Sequence, residues 1–334
     1  MGVCSDEAMG NSIPFRRNNF DKLSASSGSA CTGTQASPAL EDHYADINGV
    51  RIHYKSAGKG KLILFLHGFP EFWYEWKNQL AEFGRDYRAM APDMRGYNLS
   101  SKPAEVDQYK LKTLVEDVRA LAESLGEKRF ILVGHDWGGG VAWAFAAYYP
   151  EYLEKLVIIN CPHFAVFERE LKENPAQQFA SQYMLLFNTP KAEQELSKDN
   201  FALPVQAVLA EGLKQGYFTE EDRKAYIEEW SQPGTLTGGL NYYRAAHIRP
   251  ATEDGGSWST KDAAPDLASW EIRVPTLVIW GMSDPYLLTG NLSGLQKFVP
   301  NLTVKLLPDV GHWANHAKPK EVNALIREFV VSKQ

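Results

Sequence analysis

Cysteine is scarce in this sequence: Cys4, Cys31 and Cys161 are the only three among 334 residues. Their odd number and wide spacing exclude a disulfide framework and the paired-cysteine pattern of a zinc site. An excess of basic charge is also missing. Thirty-five Lys and Arg face 41 Asp and Glu, for a net charge of -6. With no long basic run, the chain lacks the electrostatic footprint of a nucleic-acid binder. Nor does it contain the run of about 18 apolar residues that a membrane-spanning helix needs. The expected partners are therefore small molecules and water, without nucleic acid or membrane. Oligomeric state cannot be read from composition. What is abundant is apolar material, 44% hydrophobic and 12% aromatic, enough for one large core or a core plus a lid.

Residues 1–42 differ from the rest. The stretch LSASSGSACTGTQASPA is small and polar, and offers little surface to bury, so a flexible tail is expected. MGVCSD places serine one position too early for a myristoylation signal. Arg16 and Arg17 resemble a twin-arginine export signal, but the segment after them lacks an apolar region. A cytoplasmic location is expected, with export through a degenerate signal as the alternative.

From His43 the chain alternates strands and helices. HYADI and VRIHYKS flank Asn48-Gly49, a dipeptide suited to a tight hairpin turn. LILFLHG (62–68), YRAMAPD (87–93), RFILVGHD (129–136) and KLVIINC (155–161) read as strands covered on both faces. A helical stripe at Leu114, Val115, Val118, Leu121, Ala122 and Leu125 ends at Gly126. Cys161, at the end of its strand, reads as a small buried hydrophobe. After Pro162 the rhythm changes to helices and loops, up to about residue 250. It returns with TLVIWGMSD (276–284), TVKLLPDVGH (303–312) and a closing helix over about 318–331. The pattern predicts an α/β fold with a mostly parallel sheet. The core comprises 43–162 and 251–334, interrupted by a helical cap at 163–250.

The most informative segment is VGHDWGG (133–139). A buried strand ends at Gly134 and glycines open the next helix, so the chain can turn sharply from strand to helix. That is the geometry of a nucleophile elbow, which raises one side chain above the sheet edge. Most elbows raise serine; here the residue is Asp136. A carboxylate is already ionised at neutral pH and suits displacement at a saturated carbon bearing a leaving group. The product is an alkyl ester on the enzyme. Its hydrolysis needs a general base for water and donors for an oxyanion. The competing reading is that Asp136 only caps the helix that follows. His135 reads as structural, aimed away from Asp136.

His312, just past the last strand, can reach the carboxyl edge of the sheet and is the candidate base. His316 is its nearest rival. Asp284, before Pro285, can orient the imidazole, although a turn residue before proline is the alternative reading. The order Asp136, Asp284, His312 matches the nucleophile–acid–base order of this type of fold. Some relatives carry the acid near position 160, but Asn160 and Cys161 are not acids. In HGFP (67–70), Gly68 permits unusual backbone angles and Phe69–Pro70 is a candidate cis bond. The amides of Phe69 and Trp137 form the candidate oxyanion pair.

These residues resemble the epoxide hydrolase family of α/β-hydrolases. HGFPE (67–71), DMRGYNLSSKP (93–103), GHDWGG (134–139) and the late Gly-His before Trp313 carry the resemblance, which spans roughly 43–334. It implies two cap tyrosines that hold the epoxide oxygen and donate a proton. LNYYRA (240–245) places one at Tyr243, with Tyr242 as a one-place alternative. SQYMLLFNTP (181–190) places the other at Tyr183, where a packed core tyrosine is the competing reading. The implied reaction converts epoxides to vicinal diols and needs no metal or organic cofactor. Phe72, Trp73, Phe164 and Trp313 are candidates for an apolar substrate pocket.

Four rival readings fit the residues less well. A haloalkane-type dehalogenase would use the same aspartate and Trp137, but Phe69 stands where a polar amide often serves as halide donor. A haloacid enzyme would want arginines where Trp137 and Gly140 stand. A non-catalytic ligand-binding fold would have lost one of the triad residues, and a serine esterase would need a serine at 136. Natural substrate and stereoselectivity are not encoded in these motifs.

Overall fold

The computed structural model describes residues 38–247 and 270–332. The expectations for Cys4, Cys31, Arg16, Arg17 and almost all of the 1–42 tail lie outside the described residues, as does the 250/251 boundary. Eight strands form one sheet, in the order β1-β2-β4-β3-β5-β6-β7-β8. They are β1 (Glu41–Ile47), β2 (Val50–Ala57), β3 (Leu62–Leu66), β4 (Arg88–Pro92), β5 (Phe130–His135), β6 (Leu153–Ile159), β7 (Thr276–Gly281) and β8 (Leu302–Leu307). Strand β1 begins two residues before the expected His43. Pairing is antiparallel from β1 to β2 and from β2 to β4, and parallel elsewhere. The hairpin closes at Ile47 opposite Val50. Asn48 and Gly49 have φ of 46° and 75°, the paired positive angles that a twisted two-residue hairpin requires.

The central strands are buried on both faces, as their unbroken apolar runs demand. Period-2 alternation divides them between two cores. Ile63 and Phe65 of β3 join a cluster with Leu80, Phe83, Val322 and Ile326. Leu62, Leu64 and Leu66 join the other cluster, with Leu114, Val118 and Val141. The first face is covered by α1 (Lys77–Phe83) and a C-terminal helix. The second is covered by α2 (Leu111–Ser124) and α3 (Asp136–Tyr148). The predicted stripe of α2 is its buried face, and Gly126 turns away at φ 75°.

Between β6 and β7 the described elements are all helical. They are α4 (Phe164–Glu173), α5 (Pro175–Ala180), α6 (Tyr183–Phe187), α7 (Ala192–Pro204), α8 (Ala210–Gln215), α9 (Glu220–Trp230) and α10 (Thr235–Ala246). Helix α7 is broken internally, because Asp199, Asn200 and Phe201 all have positive φ. The chain closes with α11 (Ala314–Ala317) and α12 (Pro319–Val331). Among the described residues, no helix is long and apolar enough to cross a membrane.

Helix α10 is the part of the insertion that matters most for the site. It comes within backbone contact of the loop after β4. A Cβ at Gly238 would lie 2.3 Å from the Gly96 carbonyl oxygen, and one at Gly239 would lie 2.6 Å from the Phe69 ring. Tyr242 then pins the helix by donating its hydroxyl hydrogen to the Arg95 carbonyl at 2.8 Å. Substituting Gly238→Val is expected to cost about 1–3 kcal/mol through overpacking. The check is the urea midpoint at unchanged denaturant slope; an unmoved midpoint would mean that α10 can slide without loss.

Candidate active site

The turn from β5 into α3 depends on two close approaches. A Cβ at Gly134 would lie 2.4 Å from the Gly138 carbonyl oxygen, and one at Gly138 would lie 2.2 Å from that of Leu66. Only glycine fits, and the sharp turn leaves Asp136 at φ 48°. A non-glycine residue in this region is strained and must be held by its surroundings. The N-cap of α3 is His135, so the Asp136 carboxylate does not occupy the capping position. Instead Oδ1 accepts the Phe69 N–H at 2.8 Å. The Phe69–Pro70 bond is cis, as expected. Trp137 is the second residue of α3, so its amide belongs to the first turn, which has no intrahelical acceptor.

His312 lies in the loop five positions beyond the end of β8. Its Nε2 is 3.6 Å from Asp136 Oδ2, an ion contact rather than a hydrogen bond. Its Nδ1 is 2.7 Å from Asp284 Oδ2. Asp284 is itself fixed, because its Oδ1 accepts the N–H groups of Tyr286 and Leu287 at 2.8 and 3.0 Å. Its Oδ2 accepts the Asn160 side chain at 2.8 Å. Asn160 sits at the end of β6, where the acid might have been sought, and it also accepts the Gly281 N–H at 2.9 Å. Sequence reasoning dismissed Asn160 as a non-acid. Its part in holding Asp284 depends on the β6–β7 register, and no local signal points to it.

Electrostatics follow from this geometry. Burial opposes charge on Asp136, but the neighbouring His312 outweighs it, with help from His135 and the Phe69 amide, and the carboxyl is held below its ordinary value. Burial likewise disfavours the charged form of His312. The charges and contacts of Asp284 and Asp136 prevail, and its pKa is pushed up to about 10. The rival His316 is buried elsewhere, 3.2 Å from the Tyr226 hydroxyl and 3.7 Å from Glu71 Oε1. His135 points away from Asp136, as expected, toward Glu75 and the His312 carbonyl.

Two chambers meet at Asp136, Tyr183 and Tyr243. The smaller, about 50 Å³, is also lined by Trp137, Gly140, Cys161, Phe164, Phe167, Met184 and Leu287. The larger, about 200 Å³, runs under the insertion past Phe69, Phe187, Leu196, Leu203, Tyr286 and Trp313. Tyr243 is one helical turn beyond Gly239 and therefore on the same face. Tyr242 is rotated away and donates its hydroxyl hydrogen to the Arg95 carbonyl, so of the two it is Tyr243 that lines the chambers. Burial, followed by the charge of Asp136, raises both Tyr183 and Tyr243 well above the ordinary phenol value. Their rings lie 6.3 Å apart, edge to face.

Of the four pocket candidates, Phe164 and Trp313 line the chambers, while Phe72 and Trp73 do not. The chain enters a 3₁₀ turn (Trp73–Trp76) at this point and carries both side chains elsewhere. Phe72 stacks on Tyr74 and meets Tyr226 edge-on. Trp73 lies beneath the Lys55 ammonium. Cys161 is free and buried, as expected, but it also lines the smaller chamber.

A sequence profile described as the alpha/beta hydrolase fold matches residues 61–319. The chain is 38% identical over 290 residues to the AB hydrolase superfamily protein YfhM of Bacillus subtilis (strain 168), covering 86% of this chain and 96% of that protein. It is 36% identical over 304 residues to epoxide hydrolase 4 of Mus musculus, covering 88% and 80%. A crystal structure of a Bacillus megaterium epoxide hydrolase mutant, complexed with a naphthyloxy-propane-1,2-diol product, is similar with a TM-score of 0.81. It shares 39% identity, over 87% of this chain and 100% of that one.

Replacing Asp284 by Asn removes one of the two charges that hold the proton on His312. The imidazole pKa is expected to fall from about 10 by about 1–3 units, the range for losing an adjacent opposite charge. An NMR titration of His312 reads this directly, and an unmoved titration would assign the shift to Asp136 alone.

Proposed function

The chain belongs to the epoxide hydrolase family of the alpha/beta hydrolase fold, and from that premise we propose that it hydrolyses epoxides to vicinal diols through an ester on Asp136. One observation carries this reading beyond family membership. Two phenols, the half-buried Tyr183 and the buried Tyr243, line the same two chambers as an ionised Asp136. A neutral phenol can hydrogen-bond the epoxide oxygen and give it a proton, and a carboxylate can attack the ring carbon. The helices between β6 and β7 act as the cap that supplies those phenols.

In the proposed reaction an Asp136 oxygen forms a bond to a ring carbon while the carbon–oxygen bond of the ring breaks. The released oxygen takes its proton from a tyrosine. His312, protonated at rest, then gives up its proton, which makes good the one the tyrosine lost. As a neutral base it removes a proton from water, and the hydroxide adds to the ester carbonyl. The amides of Phe69 and Trp137 hold the resulting oxyanion. Collapse expels the diol oxygen, which takes the proton of the new carboxyl group, so the diol leaves and the carboxylate is restored. The chamber sizes favour a terminal epoxide carrying an aromatic group. A cavity of about 150 Å³ holds a benzene ring, so the larger chamber accepts an aryl or aryloxy group. The smaller admits only a few heavy atoms. The naphthyloxy-diol complex of the Bacillus megaterium relative agrees with that assignment.

The test uses a styrene-type epoxide and a haloalkane in parallel. Diol formation without halide release is expected. Asp136→Asn is expected to lower diol formation by roughly 10³-fold or more, provided that the amide is not converted back to acid. Tyr243→Phe should lower the ring-opening rate by about 10²–10⁴-fold. Halide release at rates that rival diol formation would sink the proposal.

The resting charges also predict a pH dependence. With Asp136 ionised, His312 keeps its proton to about pH 10. Once Asp136 is an ester its charge is gone, only Asp284 still supports the imidazolium, and the ring can release its proton and act as base. Lowering the pH restores that proton and removes the base. Asp136 stays ionised because its pKa is depressed. Ester hydrolysis is therefore expected to slow as pH falls from about 9 to 5, while ring opening holds steady. Rapid-quench mass spectrometry checks this as rising ester occupancy in acid; equal pH dependence of both steps would refute it.

A further inference from the structure

We infer that Glu75 is a positioning residue, a single buried carboxylate that fastens the oxyanion loop, the nucleophile turn and the base loop to one another. The kinetic consequences rest on the reading of function above; the geometry does not. Glu75 lies in the 3₁₀ turn Trp73–Trp76, is 0% exposed, and lines neither chamber. Its Oε2 accepts the N–H of Gly68 at 3.0 Å, and Gly68 immediately precedes the oxyanion donor Phe69. Its Oε1 is 2.5 Å from Nδ1 of His135, the residue before Asp136. The same Oε1 accepts the side-chain N–H of Asn315 at 3.0 Å, three positions beyond His312. His135 extends the connection, since its Nε2 donates to the His312 carbonyl at 3.0 Å.

A carboxylate is the group these partners require. The N–H groups of Gly68 and Asn315 donate to its two oxygens, and Nδ1 of His135 lies 2.5 Å from one of them; a carboxylate accepts at both. His135 has an acceptor within reach of each ring nitrogen, the Glu75 carboxylate at Nδ1 and the His312 carbonyl at Nε2. A buried unpaired charge would be costly. Burial does oppose ionisation of Glu75, but His135 outweighs it, and His316 and His67 add to the effect. An amide at this position would turn one NH₂ toward incoming donors and break at least one tie, with almost no change in volume.

The two chemical steps depend on these ties unequally. Ring opening needs Asp136 and the tyrosines. Ester hydrolysis needs the Phe69 amide and His312 placed together on one carbonyl, and misplacement by about 1 Å can cost about 10²-fold. The experiment is rapid-quench kinetics with styrene oxide on the full chain, with the ester read by intact mass, alongside amide hydrogen exchange. In Glu75→Gln, ester hydrolysis is expected to slow by about 10–100-fold while ring opening stays within about threefold. KM falls together with kcat as ester accumulates. Exchange is expected to quicken in 67–70 and 311–316 as well as at 73–76. Asn315→Ala, which removes one tie and keeps the buried ion pair, should move hydrolysis and exchange the same way by less. It decides the matter if Glu75→Gln does not fold. The inference is overturned if both rates are unchanged, or if both fall in proportion to folded protein with exchange altered only at 73–76. If the wild type forms no ester, the reading of function has failed, and the exchange pattern alone decides the role of Glu75.

Discussion

The rest of the structure depends on keeping one carboxylate ionised where water is largely excluded. Asp136 is raised on a strained turn, inside a site made of aromatic rings. Burial alone would favour its protonated form, which is a poor nucleophile. Three neighbours reverse that preference. His312 brings a positive charge to 3.6 Å, the Phe69 amide donates a hydrogen bond, and His135 adds charge from behind. The neighbours come from three places at the carboxyl edge of the sheet: Phe69 from the loop after β3, His135 from the last position of β5, and His312 from the loop after β8. The parallel strands bring them together, in keeping with the rule that open α/β sheets assemble their sites there.

The same charge shapes the opposite wall. Tyr183 and Tyr243 face Asp136, and its field, together with burial, keeps them as neutral phenols. Phenols and carboxylate are thereby held in complementary protonation states by their mutual proximity. The helical insertion brings Tyr243 to Asp136 because α10 approaches the core closely, and Gly238 and Gly239 permit that approach. Two small residues in a helix, which offer no chemistry themselves, thus set where Tyr243 stands above Asp136.

Below the reacting groups lies a second polar layer, in which Asn160 holds Asp284 and Glu75 holds the three loops. Buried polar groups are costly unless satisfied, so their presence under a catalytic site calls for a role. Here most of the polar atoms are paired, Asn315 Oδ1 being left without a hydrogen bond, and the layer ties together segments from distant parts of the chain. The larger chamber is bounded instead by α7, whose helix is interrupted by three consecutive left-handed residues. Buried hydrogen bonds are concentrated beneath the carboxylate, and irregular backbone occurs in the helix that borders the larger chamber.

How much of this was legible in the sequence follows from the range of each interaction. The elbow was readable because its constraints are local: Gly134, Asp136 and Gly138 must fit one turn, and any larger residue would strike the backbone. The hairpin at Asn48-Gly49 and the burial of the central strands were readable for the same reason. Tyr242 and Tyr243 could not be told apart, because adjacent helical residues point about 100° apart and only the docking of α10 decides which one faces the site. Phe72 and Trp73 were misassigned because aromatic identity does not reveal where a 3₁₀ turn will aim it. Asn160 and Glu75 carried no signal at all, since their partners lie up to 240 positions away. By itself, then, the sequence determined the chemistry available at Asp136, which is set by backbone geometry within a few residues. Only the tertiary structure decided which acid, base and phenols surround it, because those depend on strand register and helix docking, and neither is a local property of the chain.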